Sequence, residues 1–344
     1  MVEWFADFSR VTFGGIEKTF DVSSVFCEFM INGQVFSIKW YGVIIAFGLV
    51  LAALFGGRIA YTWKMDLSKM VDVLIYGMFG GIVCARAYYV IFQWDYYSVH
   101  PAEIFQIWRG GLAIYGGIIG GIIAAFITCK LEKLNFYNLL DCAGMSLLIG
   151  QGIGRWGNYA NQEAFGVFTN GNYGMMSDKV ISYIEAHPEL YGLEDVWDIS
   201  GYIEENNLFV HPTFFYEFAW CMLGVLVLYI ITRKFRKFSG QTFLCYGIWY
   251  GLERTVVEGL RTDSLYIGNT DLRVSQVLSI AIVVVCTVVL VFKLLSLRKK
   301  PALIEGVDYF PADEKQVKKS KKNKPVIEEK ENKDFANDNK KEEE

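Results

Sequence analysis

Residues 38–60 read IKWYGVIIAFGLVLAALFGGRIA, an almost unbroken apolar run whose only charges, Lys39 and Arg58, lie close to its two ends. A helix that crosses a bilayer needs about 20 predominantly apolar residues, and this run supplies them. Six further stretches of the same kind lie near 70–93, 111–129, 137–154, 212–232, 241–257 and 274–296. The fourth and sixth of the seven are short and end in polar sequence. The 344-residue chain is 53% hydrophobic and only 20% charged, although its last 45 or so residues are dominated by Lys and Glu. What remains is too apolar for an ordinary soluble domain. The fold class that follows is an all-α integral membrane protein of about seven transmembrane helices.

Basic residues in short loops set the orientation of such a protein. Lys64 and Lys69 follow the first span, Lys130 and Lys133 the third, Arg233, Lys234, Arg236 and Lys237 the fifth, and Arg298, Lys299 and Lys300 the seventh. All fall on one side if the N-terminus is outside and the C-terminus cytoplasmic. Residues 1–37 then form an extracytoplasmic N-terminal segment, in which Asn32-Gly33 is a hairpin-turn signal and predicts a small β element. Residues 38–297 form the seven-helix body, with 155–211 as a small extracytoplasmic head. Residues 298–344 form a charged cytoplasmic tail, Lys- and Glu-rich and too poor in apolar residues to fold. The opening MVEWFADFSR lacks the pattern of a signal peptide, so the first span is expected to direct insertion.

The seven cysteines are odd in number and include no CxxC pair, so they read as small core residues. No cluster of His and Cys has metal-ligand spacing, and neither a metal nor a cofactor is expected. No basic patch with interleaved aromatics points to nucleic acid.

Charge inside or at the rim of a span is costly and needs a reason. In GQGIGRWGNYANQEAFG, residues 150–166, Arg155 and Asn158 share a helical face, and Asn161 and Glu163 follow at once. A planar arginine fork there suits a phosphate; a helix end tied down by polar side chains is the plainer reading. In YGLERTVVEGLRTD, residues 250–263, Arg254, Glu258 and Arg261 stand at i, i+4 and i+7, so Glu258 is placed to pair with either arginine. A self-satisfied ion-pair ladder would look the same. GGLAIYGGIIGG, residues 110–121, carries overlapping GxxxG patterns that serve helix packing, with Tyr115 just before them. HPTFFYE, residues 211–217, opens the fifth span with His211 and places Glu217 one to two turns inside it, where it needs a partner such as an arginine. Arg86 lies deep in the second span and is expected to meet a carboxylate. Tyr41, in KWYG, is a further polar residue in the first.

Taken together these segments resemble the prolipoprotein diacylglyceryl transferases. The family signature is GRxGNxxNxExxG, and this chain has GRWGNYANQEAFG from Gly154 to Gly166. HPTFFYE, WYG, the arginine-bearing second span and ERTVVEGLR match in order and spacing, so the likeness covers roughly residues 35–297. It implies an enzyme of the bacterial cytoplasmic membrane. Such an enzyme moves the diacylglyceryl group of phosphatidylglycerol onto the thiol of a lipobox cysteine in a pre-lipoprotein signal peptide, releasing glycerol 1-phosphate. The site would lie at the outer leaflet, among membrane lipids. The resemblance also implies roles. Arg155 binds the headgroup with Asn158, Asn161, Glu163 and Tyr41, and Arg254 stabilises the leaving phosphate. Arg86, His211, Glu217, Glu258 and Arg261 support them. A subset of the family has histidine where this chain has Tyr115, and a neutral tyrosine, with an ordinary pKa of about 10, is a poor base. Tyr115 is therefore read as orienting the headgroup, and the base is left open. A phospholipid or organic-anion transporter is the competing class, but the spans show no internal repeat and their polar residues gather at one face.

Overall fold

Each of the seven apolar stretches is a long helix in the computed structural model, which describes residues 2–3, 8–15, 18–31, 34–169, 173–261, 270 and 272–299. In chain order the elements are strands β1 (Val2–Glu3), β2 (Phe8–Phe13), β3 (Thr19–Ser23), β4 (Val25–Ile31) and β5 (Gln34–Lys39), then helices α1 (Trp40–Thr62), α2 (Leu67–Phe92), α3 (Trp94–Tyr97), α4 (Ile114–Leu131) and α5 (Phe136–Asn161). There follow β6 (Phe168–Thr169), β7 (Met175–Ser177), α6 (Asp178–Ala186), α7 (Ile199–Glu205), β8 (Phe209–Val210), α8 (Thr213–Phe235), α9 (Gln241–Leu260) and α10 (Val274–Lys299).

Five helices, α1, α2, α4, α8 and α10, are long and apolar enough to cross a membrane. The chain is a mostly helical, multi-pass membrane protein. Large apolar side chains such as Phe79, Ile91, Val285 and Phe292 stand exposed on these helices, as lipid-facing surfaces do. α5 and α9 are equally long but carry Asn138, Asp141, Arg155, Glu253, Arg254 and Glu258. They pack inside the bundle, α5 against α1, α8 and α9, and α9 also against α10. Their polar groups therefore find protein partners.

Short connections with left-handed residues turn the chain between helices. Lys64 follows α1 and Lys133 follows α4, each at positive φ, and Asp66 and Asn135 then cap α2 and α5 through their side chains. The bundle core is built from Ile59, Trp63, Met145, Leu148, Cys221 and Leu228. α2 and α4 form a second tight pair. A Cβ on Gly120 would lie 2.3 Å from the Cys84 Cβ, and one on Gly116 would lie 2.5 Å from the Tyr88 Cβ. Only glycine permits this approach, the packing role its GxxxG spacing predicts.

The loops rich in Lys and Arg share one end of the bundle. Lys69 donates to the Glu132 carbonyl, and Arg236 pairs with Asp141 and lies over the Trp63 ring at 4.2 Å. This is the basic end. Asp141 is fully buried there and accepts from the Gly240 and Phe243 amides at the start of α9, so a side chain from α5 caps the neighbouring helix.

The all-α expectation needs correction at the other end, where the chain forms two small sheets. One has the order β1-β4-β5, and the other β3-β2-β7-β8-β6. β4 and β5 are the expected hairpin, in register from Val25↔Lys39 to Ile31↔Gln34; its Asn32-Gly33 turn lies outside the described residues. The N-terminal segment and the 155–211 segment, read as separate, share a sheet because β2 pairs with β7. A core of Phe165, Met175, Val180, Ile184, Ile203 and Val210 forms beside it, and apolar strands need such a partner surface to be stable. Of the tail read as too poor in apolar residues to fold, residues 298–344, Arg298 and Lys299 close α10 and the rest lies outside the described residues.

Candidate active site

The signature, the HPTFFYE segment and the ERTVVEGLR segment meet through their backbones at the end opposite the basic loops. Gly166 donates to the His211 carbonyl and Val167 to the Leu260 carbonyl, both at 3.0 Å, and Gly166 bridges to Arg261. The Thr213 hydroxyl donates to the Ala164 carbonyl. This junction ends α9 at Leu260. Arg261 is consequently extended, with φ −79° and ψ 146°, so the expected helical face of Arg254, Glu258 and Arg261 holds only for the first two.

α8 runs antiparallel to both α5 and α9, and each of the three brings one charged side chain to a shared point about one to two turns below the junction. Glu217 Oε1 on α8 lies 3.0 Å from Arg155 Nη2 of α5 and 3.4 Å from Arg254 Nη1 of α9. Arg254 Nη2 lies 2.7 Å from Glu258 Oε2, one turn along the same helix. The two arginine nitrogens on Glu217 are thus at most about 6.4 Å apart. Two positive charges at about 6 Å repel by about 3 kcal/mol at an effective dielectric of about 20, so the shared carboxylate is what allows them to meet. The Glu217 side chain is 1% exposed and both arginine side chains 19%. The carboxylate forms the buried floor, and the two arginine side chains above it are partly exposed. Glu217 Oε2 is buried without a hydrogen-bond partner among the described residues. Arg261 adds a third positive charge to the field at Glu217.

The remaining signature residues line the same turn. Asn158 and Asn161 both donate to Glu163 Oε1, at 3.0 and 3.4 Å, which fixes the two amides and leaves their carbonyl oxygens facing away from that bond. The Tyr41 ring lies against Gly157, where a Cβ would come within 2.9 Å of it, so α1 presents Tyr41 beside the signature turn. His211 Nδ1 lies 3.2 Å from the Tyr216 hydroxyl, and burial lowers the imidazole pKa below the ordinary histidine value.

Two expected members stand apart. Tyr115 sits in the first turn of α4, 46% exposed, and no hydrogen bond among the described residues joins it to the arginine cluster. Arg86 has no carboxylate partner among the described residues, which corrects the expectation. Its guanidinium donates instead to the carbonyls of Ile104 and Glu103 at 2.7 Å, Gly111 at 2.9 Å and Gly110 at 3.0 Å, and it lies 5.1 Å from the Tyr97 ring. Gly110 and Gly111, at φ +89° and +76°, supply the left-handed backbone that turns both carbonyls inward. A folded loop of carbonyl dipoles takes the place of a counter-ion.

Sequence reading missed Glu253 and Asp141. Glu253 is buried on α9, with both carboxylate oxygens 3.9 Å from the Cys221 thiol, and shares the electrostatic field of Arg155, Arg254 and Glu217. The signal was present in both cases, a carboxylate inside an apolar stretch.

Comparison with known proteins follows the same lines. The family model described as prolipoprotein diacylglyceryl transferase matches residues 28–292. Proteins named phosphatidylglycerol–prolipoprotein diacylglyceryl transferase are among the relatives. The one from Lysinibacillus sphaericus is 39% identical over 77% of this chain and 91% of its own length. That from Listeria welshimeri is 42% identical over 76% and 87%, and that from Staphylococcus aureus strain Newman 38% identical over 82% and 94%.

Proposed function

Because this chain belongs to the prolipoprotein diacylglyceryl transferase family, we propose that its Arg155–Glu217–Arg254 cluster is where phosphatidylglycerol is held and cleaved. The activity is transfer of the diacylglyceryl group from phosphatidylglycerol to the lipobox cysteine thiol of a prolipoprotein. The cysteine sulfur, as thiolate, attacks C3 of the glyceryl group. The bond from C3 to the phosphate oxygen breaks, the pair of electrons leaves with that oxygen, and glycerol 1-phosphate departs.

The leaving group is a phosphate monoester, so the step needs positive charge aimed at it. The convergence of Arg155 and Arg254 on one buried carboxylate carries this reading. Glu217 takes one terminal nitrogen of each arginine and Glu258 the other terminal nitrogen of Arg254, and the remaining guanidinium N–H groups are left to take phosphate oxygens. Arg155 holds the headgroup, and Arg254, braced by Glu258, meets the charge that develops as the bond breaks. Asn158, Asn161, Glu163 and Tyr41 contact the glycerol hydroxyls and ester oxygens, while His211 and Arg261 brace the junction above. Tyr115 orients the headgroup from α4, whose entry Arg86 holds. The same arginine field favours thiolate over thiol.

Seven crossings complete the reading. α5 and α9 cross with their polar faces turned inward, the basic end lies in the cytoplasm by the rule for Lys and Arg, and the motif end with its two sheets faces outward as a head. The reaction then occurs at the outer leaflet of the bacterial cytoplasmic membrane. The test uses purified protein with phosphatidylglycerol and a lipobox peptide. Glycerol phosphate release matched by a diacylglyceryl mass gain on the Cys peptide, and absent with a Cys→Ser peptide, is expected. Folded protein that releases none would reject the assignment.

A further inference from the structure

We propose that the groove between β3 and the motif ends of α1 and α5 binds the residues flanking the acceptor cysteine, laid in extended form along β3 as an added strand. The inference rests on the transferase reading and goes beyond it by assigning where the peptide docks.

The groove has a volume of about 410 Å³, within the roughly 300–1,000 Å³ of pockets that enclose a ligand-sized group. Its walls are mainly apolar: Phe8 and Val22 from the sheet, Trp40 and Ile44 from α1, Trp156 and Tyr159 from α5. Two features make the occupant a peptide. β3 is the edge of its sheet, paired only with β2 among the described residues, so one side of its backbone offers the hydrogen bonds of a missing strand. An acyl chain has no use for them; an extended peptide does. The Asp21 carboxylate of β3 also borders the groove, a polar group that an acyl chain would leave unsatisfied.

The groove is also in register with the chemistry. Arg155 and Tyr159 stand four apart on α5, one turn and about 6 Å along a single face. An extended chain rises about 3.3 Å per residue. A peptide whose cysteine sits at Arg155 therefore places the residues two or three positions away over Tyr159 and Trp156. Trp156 itself is fixed edge-on against Phe214 and Phe218 of α8, the helix that carries Glu217. The wall of the groove and the floor of the arginine cluster are thus parts of one packed unit.

Photocrosslinking on the full-length protein in phosphatidylglycerol nanodiscs tests this. A Cys→Ser lipobox peptide bearing benzoylphenylalanine two or three residues from the serine is expected to label residues 19–23 and 156–160, with competition by the Cys peptide. Labelling confined to α2, α4 or lipid, while the Cys peptide still turns over, would overturn the groove and leave the transferase standing. Failure of the Cys peptide to turn over would instead strike the transferase reading itself. In parallel, Phe8→Ala, at a side chain 58% exposed, should raise the peptide KM at least fivefold with kcat and the phosphatidylglycerol KM unchanged. An unaltered peptide KM, or labelling of residues 19–23 by a photoreactive acyl chain that peptide does not displace, would sink the proposal.

Discussion

At the scale of single residues, the cluster depends on geometry more than on charge. Lysine keeps the charge of Arg155 or Arg254 but offers no fork that serves a carboxylate and a phosphate together. Arg155→Lys and Arg254→Lys should each lower kcat/KM by about 100-fold or more, the scale of losing a preorganised donor, with the melting temperature nearly unchanged. Turnover within twofold of the parent in both would remove the clamp. Tyr115 stands clear of that cluster in the first turn of α4. Tyr115→Phe asks whether its hydroxyl transfers a proton, and headgroup orientation alone predicts a raised phosphatidylglycerol KM with kcat largely kept. His211 gives a pH effect of known sign. Burial holds its folded-state pKa below the ordinary value of about 6.5, so the fold favours the neutral ring. Its contribution to stability is present above pH 6.5 and declines as the pH falls below that, because only the unfolded chain then gains the proton. Melting curves from pH 8 to 5 should show a smaller acid loss in His211→Gln than in the parent.

At the scale of elements, the two ends of the bundle use buried charge differently. At the basic end Asp141 accepts from Arg236 and from two amides that open α9, a satisfied network that fixes α5, α8 and α9 in register. Along α5, Asp141 and Arg155 are separated by 14 residues, about 21 Å of helix, so the network anchors the helices from the far end of the site. Asp141→Asn would leave Arg236 buried without its counter-charge, and breaking a buried pair costs about 3–5 kcal/mol. Denaturation of the purified protein is expected to show that loss, and a stability within 1 kcal/mol of the parent would argue that Asn138 and Trp63 hold Arg236 unaided. Between these ends α8 and α9 are tied by a reciprocal pair, in which Trp220 and Trp249 each donate to the carbonyl of the other and stack at 4.6 Å.

At the scale of the whole molecule, the described residues divide by chemistry into an apolar belt and a polar end with two sheets. Residues 301–344 are rich in Lys and Glu and contain none of the groups assigned to the reaction. Deleting them should leave lipobox-peptide turnover within about twofold. A larger loss would assign the tail a part in catalysis or assembly.

The sequence by itself determined the membrane class, the seven long helices and the residues worth examining. Apolar length and the spacing of motifs are local properties, written in consecutive residues. Tertiary structure alone decided who pairs with whom. Arg155, Glu217 and Arg254 lie about 40 to 100 residues apart along the chain, and only the packing of three helices puts both guanidinium groups on one carboxylate oxygen. Packing likewise gave Arg86 a loop of carbonyls in place of the carboxylate that its depth suggested. It ended α9 one residue before Arg261 through the junction with Gly166 and Val167. It joined β2 to β7, where the sequence showed two separate segments. Charges in an apolar bundle must find partners, but the partner is chosen by three-dimensional proximity, and no local pattern encodes that.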